Sequence, residues 1–357
     1  MSERNTSIDI AKGLGIILVV FGHNWIIAHN HGELFRIIFS FHMPLFFFLS
    51  GAVLRQDTAF RDFLVFKADA LLKPFFVVLS AWGLARIVLS GVDAHTYVLG
   101  MLYATGNTIE WVPLWYLPHL FLAMLLAWSV LHLANRVHAG LLLPVVCISI
   151  LLAAGIVVTR ICSQLDVQQF ASLHLWLGNR QHDFPGLPWS LDLIGISTAF
   201  ILLGYVLHDY VMRFRFLPWA FIVALFLFAA LHFFFDETID LNMREYGTWW
   251  IATAQALLGI YLALSVSACL QYAGKLGKLL AYLGTSSLFI MIFHSWIEWK
   301  VFALLARWNL YAYLNASLAL LAGLLIPLLL LSLVKKHKFL YILLLPKAHT
   351  PRLRAGT

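Results

Sequence analysis

The chain has 357 residues, of which 62% are hydrophobic and 11% charged, and its mean hydropathy is +0.86. Soluble domains carry about 25% charged residues, so the composition excludes a soluble globular protein and predicts an all-α, polytopic integral membrane protein. The net charge of +7 follows from the positive-inside rule and calls for a lipid bilayer as partner, with no nucleic acid.

A span needs about 20 residues, and the hydropathy predicts about ten helices in one membrane-embedded domain over 1–357. They fall at 8–29, 35–54, 74–90, 114–133, 141–158, 192–207, 217–234, 248–270, 281–299 and 311–333. With the first helix starting inside, seventeen of the 24 Lys and Arg lie on the inner side. Both termini are therefore expected to be cytoplasmic. No small-residue cleavage site follows the first apolar run, so it is read as a span and not as a signal peptide.

The first helix carries a polar stripe of Asp9, Lys12 and His23. At about 100° per residue, Lys12 and His23 point about 20° apart, and Asp9 and His23 about 40° apart. Polar groups in hydrocarbon are costly unless they are paired or line a cavity, so one shared face predicts a working surface. Asp9 and Lys12 are also an i,i+3 pair, which admits a snorkelling lysine as the plainer role.

Further along, the segment Arg55 to Lys73 is read as an inner loop with a curved basic rim of Arg55, Arg61, Lys67 and Lys73. Six-residue steps turn a helix by about 240°, which rules out a single basic stripe. This rim suits the phosphates of coenzyme A, although topology alone explains its charge. The outer side has two longer connections, 91–113 and 159–191, and the second contains the turn-rich run D-F-P-G-L-P-W. No transporter-type internal repeat stands out. The three cysteines are scattered and odd in number, so neither a disulfide framework nor a metal site is expected.

His23, His42, His119 and His294 are each expected about 8–11 Å below the outer surface, at 1.5 Å per residue. Four buried histidines at one depth are expected to ring one cavity. A neutral imidazole suits proton transfer near neutral pH; it is also a nucleophile able to accept an acyl group, and the residues do not choose between these roles. Arg86 is an intramembrane charge and hence a site candidate. Trp115 reads either as part of a membrane-interface belt or as a sugar-stacking surface. Glu298, four residues after His294, either orients that imidazole or marks the helix end.

Several motifs now fall in order. Asp9-Ile10-Ala11-Lys12-Gly13 is followed by His23, with ten residues between Lys12 and that histidine. Phe46-Phe47-Phe48-Leu49-Ser50-Gly51, Phe60-Arg61 leading to Lys73-Pro74-Phe75, and Pro113-Leu114-Trp115-Tyr116-Leu117 come next. Leu283-Gly284-Thr285-Ser286-Ser287-Leu288-Phe289 then runs into His294. The set resembles the membrane acyltransferase-3 family, and it is most similar to the branch of fucose O-acetylases and exopolysaccharide (xanthan-type) acetyltransferases. The resemblance implies a ten-helix O-acyltransferase of a bacterial inner membrane. Such an enzyme takes acetyl from acetyl-CoA, its donor substrate, and delivers it to a sugar hydroxyl on the far side.

On that basis His23 inherits the catalytic role and Lys12 the basic position, often arginine in the wider family, with Asp9 beside it. His42, Arg55, Arg61, Arg86, Trp115, His119, His294 and Glu298 are candidates for binding donor or acceptor. The soluble hydrolase-like domain of larger members has no counterpart, which implies direct hand-over of product to other polysaccharide-assembly proteins or work on a lipid-linked oligosaccharide. Two rivals remain. One is a proton-coupled transporter or flippase of a glycan precursor using the same stripe; the other is a non-catalytic membrane scaffold.

Overall fold

The computed structural model describes residues 5–56, 58–164, 186–308 and 311–347. Arg4, Arg180, Arg352, Arg354 and the 183–185 part of the turn-rich connection lie outside the described residues. Among the described residues nine helical stretches are long and apolar enough to cross a membrane, and Pro218–Phe234 is a shorter apolar helix. Each falls on one of the ten segments expected from hydropathy, although several boundaries and continuities differ.

The first expected helix is two. Helix α1 (Thr6–His23) starts where the Asn5 side chain accepts the Ile8 N–H at 3.2 Å and stops at His23. Asn24 adopts extended backbone, its Oδ1 accepts the Ile26 N–H to open α2 (Trp25–Asn30), and its Nδ2 donates to the Ala316 carbonyl at 2.9 Å. Asn is a strong capping residue, and here it places His23 at a helix end. The second span is α3 (Glu33–Phe39) followed by α4 (His42–Ala52), separated by a break at Ser40 and Phe41.

The inner loop expected between Arg55 and Lys73 is instead largely helical. Helix α5 (Phe60–Lys67) passes through a wide π-type turn (Ala68–Leu72) into α6 (Lys73–Ser90), which makes one stretch of 31 residues. Lys73 pairs with Asp69 at 2.8 Å and donates to the Leu345 carbonyl at 2.6 Å. Helix α7 (Ala94–Tyr103) occupies the first long connection, and Asp93 caps it by accepting the Thr96 N–H at 2.7 Å. That hydrogen bond holds the Asp93 carboxyl below its ordinary range.

There follow α8 (Tyr116–Arg136), α9 (Leu142–Ser163), α10 (Ile194–Val206), α11 (His208–Met212), α12 (Pro218–Phe234) and α13 (Trp249–Leu270). A two-stranded antiparallel hairpin, β1 (Ile239–Asp240) and β2 (Glu245–Tyr246), sits between α12 and α13. The expected helix 281–299 divides into α14 (Gly274–Thr285) and α15 (Ser287–Ala306), because the chain turns at Ser286. Helices α16 (Ala312–Lys336) and α17 (Lys338–Leu344) complete the described chain.

Helix α1 is packed by α4, α13, α14 and α15. Lipid gives helices no hydrophobic reason to associate, so close backbone approach through small residues takes over. A Cβ on Gly13 would strike the Leu280 carbonyl, and one on Gly284 would strike the Asp9 carbonyl. Gly51 and Gly204 play the same part between α4 and α10, against Ile201 and Phe48. The L-G-T-S-S segment thus has a mechanical task, which is to hold the start of the polar stripe at a fixed depth.

Candidate active site

Asp9, Lys12, Ile16, Val19 and His23 recur at steps of three and four, which places them on one face of α1. That face lines a cavity of about 310 Å³. His42, Met43, Phe46 and Ser50, at similar spacing on α4, line it from a second side. Pro113, Trp115, Tyr116 and Leu120 form part of the wall, as do Leu71 of the π-type turn and Leu288 and Met291 of α15. A π-type turn inside a helix often marks a functional place; this one aims Leu71 inward. The Tyr116 hydroxyl is hydrogen-bonded to Ser50, which ties α8 to α4 across the cavity.

Three imidazoles meet here. His23 stands 5.3 Å from His294, centroid to centroid, with the rings tilted by 46°. Phe39 is edge-on to both His23 (6.5 Å) and His42 (4.7 Å) and fills the angle between them. His42 Nδ1 lies 2.8 Å from the Ile38 carbonyl, and His294 Nδ1 lies 2.9 Å from the Met291 carbonyl. A carbonyl only accepts, so both rings carry a proton on Nδ1 and, when neutral, a lone pair on Nε2.

A second cavity, of about 1110 Å³, opens at the N-terminal side of the bundle. Asn5, Arg55, Gln56, Tyr205, His208 and Asp209 line it, and so do Asp9 and Lys12. Asp9 and Lys12 therefore stand between the two spaces. Lys67 is close enough to Lys12 to feel its charge and lies over the Phe63 ring at 5.4 Å.

The remaining predicted residues are dispersed, and the expected ring of four histidines at one cavity is corrected: His23 and His42 line it, His294 stands behind His23, and His119 lies apart. His119 is buried behind Trp115 (5.4 Å between rings), with Nε2 2.7 Å from Ser197 Oγ and Nδ1 3.4 Å from the Trp189 carbonyl. Trp115 itself lines the cavity, buried and not in an exposed interface belt. Arg86 is bonded to Glu110 at 3.0 Å, and Trp82 Nε1 donates to the same carboxylate at 2.7 Å; neither Arg86 nor Glu110 lines the cavity. Arg61 is exposed on α5 and lines neither space, whereas Arg55 lines the larger one. Glu298 is buried against Gly323, and neither carboxyl oxygen has a hydrogen-bond partner among the described residues.

Composition gave no hint of one buried cluster on the far side. Arg244 Nε meets Asp192 Oδ2 at 3.0 Å, while its other nitrogens bond the Ser190 hydroxyl and the Asn242 carbonyl. Asp192 also accepts the Leu187 N–H at 2.8 Å. Beside it Asp240, outside the spans, has its carboxyl pushed up to about 6 by burial. Ser50 and Tyr116, each inside a motif quoted above, also form part of the wall, Ser50 four positions after Phe46 on the same helical face.

Residues 5–336 match the family profile described as an acyltransferase domain, acyltransferase type 3. No curated protein and no solved structure matches the chain.

Proposed function

Because the chain belongs to the membrane acyltransferase-3 family, we propose that it carries an acetyl group, or a similar acyl group, from cytoplasmic acyl-CoA to a sugar hydroxyl of an exopolysaccharide or lipid-linked oligosaccharide. One observation carries this reading: the cavity that holds His23 meets a larger one at Asp9 and Lys12. The larger space suits the nucleotide end of the donor, with Arg55 and Lys12 as cations for its phosphates. The smaller has the size for a thioester arm and the reacting edge of a sugar, near the lower end of small-molecule pockets. The basic inner loops argue for the larger space facing the cytoplasm of a bacterium, with both termini inside.

In the proposed step a neutral His23 takes the proton of the sugar hydroxyl as its oxygen bonds to the thioester carbonyl carbon. The carbon–sulfur bond then breaks, and the leaving thiolate recovers that proton from the imidazolium. The products are an ester and a free thiol, and no net proton is gained or lost. Positioning of this kind with general-base catalysis contributes about 10²–10⁴ in rate.

The test is acyl transfer from radiolabelled acetyl-CoA to a lipid-linked or exopolysaccharide fraction, by the purified chain in nanodiscs. His23→Ala is expected to lower transfer at least 100-fold, and Lys12→Ala to raise the donor KM. Equal labelling by a folded His23→Ala variant would overturn the mechanism. Acceptor movement across the bilayer without acetylation would favour the transporter reading instead.

A further inference from the structure

We infer that His294 is the positioning residue of His23: its free Nε2 accepts the N–H of one His23 ring nitrogen, which leaves the other nitrogen unprotonated towards the substrates. This inference rests on the transfer reading above and assigns a second histidine to the same centre.

Four observations converge. His294 is fully buried on α15, and its ring lies 5.3 Å from that of His23, centroid to centroid. Ring nitrogens sit at the rim of an imidazole, so a small rotation of either ring closes a hydrogen bond at this separation. Such bonds commonly tighten only when substrate is in place. Second, the Nδ1 proton of His294 is committed to the carbonyls of Met291 at 2.9 Å and Ile290 at 3.1 Å. With its proton held there, the neutral ring has no choice of tautomer and presents Nε2 as an acceptor.

Third, that Nε2 is buried and has no hydrogen-bond partner among the described residues. A buried acceptor left without a bond is costly, and His23 is the ring placed to satisfy it. Fourth, His294 does not line the cavity, whereas His23 and His42 do. His294 therefore stands behind His23, where it meets no substrate. His42 is locked in the same way through Ile38, but it faces the open space, so its free nitrogen is available to a ligand.

The logic is that of the buried aspartate in hydrolase triads, which holds its histidine in the productive tautomer and does not itself take the proton. Here the N–H shared with His294 stays on His23 throughout. Only the opposite nitrogen exchanges a proton with the sugar hydroxyl and then the thiolate. A neutral acceptor stabilises the imidazolium less than a carboxylate does, so the expected loss on removal is smaller than the ~10⁴ known for such aspartates.

The test uses the full chain in nanodiscs, as wild type, His294→Ala and His294→Gln, with thermal unfolding as the check on folding. His294→Ala is expected to lower kcat about 100-fold while the KM values for donor and acceptor stay within threefold. Added imidazole, which fills the space left behind, restores at least fivefold. His294→Gln, whose amide oxygen still accepts a hydrogen bond, retains more activity than His294→Ala.

Nitrogen-15 NMR of histidine-labelled protein gives a readout that needs no turnover. His23 is a single tautomer in wild type and a mixture in His294→Ala. An unchanged His23 tautomer would overturn the proposal, as would kcat within threefold of wild type or a loss confined to KM or thermal stability. Should wild type transfer no acyl group, the transfer reading fails by itself, and the NMR comparison still decides whether His294 orients His23.

Discussion

Arg244→Met tests the buried cluster that closes the far side of the bundle. The Arg244 and Asp192 side chains are 3% and 0% exposed and meet at 3.0 Å. Three further bonds, to Ser190, Asn242 and Leu187, satisfy much of what the pair still requires. Gly186 lies against the guanidinium so closely that a Cβ there would collide with it. Methionine fills the arginine's volume without its charge, and Asp192 is left as an uncompensated buried carboxylate. Removing one partner of such a pair costs about 3–5 kcal/mol, or a factor of more than 100 in the folded-to-unfolded ratio. Asp192→Leu alone strands the guanidinium and costs a similar amount. The double variant removes both charges, and because buried pairs are often replaceable by apolar residues, it is expected to regain at least 2 kcal/mol of the summed loss. The assay is a double-mutant cycle by denaturant unfolding in detergent, followed by tryptophan fluorescence. A single-variant cost below 1 kcal/mol, or losses that simply add in the double variant, would refute the reasoning.

Two further outcomes follow from the structure. Gly284→Ala sets a Cβ against the Asp9 carbonyl; overpacking of this kind costs about 1–3 kcal/mol, and the shift of α1 moves Lys12, so the donor KM should rise about tenfold. Donor titrations check this, and an unchanged KM in the folded variant counts against a tight α1–α14 seam. Asp240 has its folded pKa raised by burial from 3.8 to about 6, so its contribution to stability is full below pH 3.8 and is lost as pH rises through about 6. Asp240→Asn cannot ionise; its Tm should therefore exceed that of wild type above pH 6 and lose that advantage at pH 4. A Tm difference independent of pH would mean that Asp240 is not the group responsible.

The spans were legible because hydrocarbon imposes a length and a composition that few other structures share. The stripe on α1 was legible for a related reason: helical periodicity alone puts Asp9, Lys12 and His23 on one face, and all three line the cavity. Boundaries set by single polar residues were harder to read. Asn24 ends α1 by capping α2 and bonding Ala316, a residue 292 positions away. Ser286 divides α14 from α15 within the short polar run Thr285-Ser286-Ser287, which a continuous helix could equally have carried. Depth along a helix likewise does not report direction around it. His119 shares a predicted depth with His23, yet its ring turns to Ser197. Asp192 lies at the start of one span and Arg244 in the hairpin between two others; they find each other only in three dimensions, so no local pattern announces them.

The placement of charge explains why the proposed chemistry sits where it does. A base that must be neutral to accept a proton is best kept from permanent charges that no partner offsets. Arg86 and Arg244, the basic residues carried by the far half of α6 and by the hairpin, are each bonded to a carboxylate of their own and line neither cavity. Lys12 does line the cavity, but eleven residues before His23, about 16 Å along the helix at 1.5 Å per residue. The same helix therefore offers a cation where an anionic donor would pass and an imidazole where a neutral hydroxyl would react. Moving the charge closer, by placing lysine at Ile16 or Val19, would bring the two roles into conflict. Such variants should bind donor at least as well as wild type while transferring acyl groups more slowly.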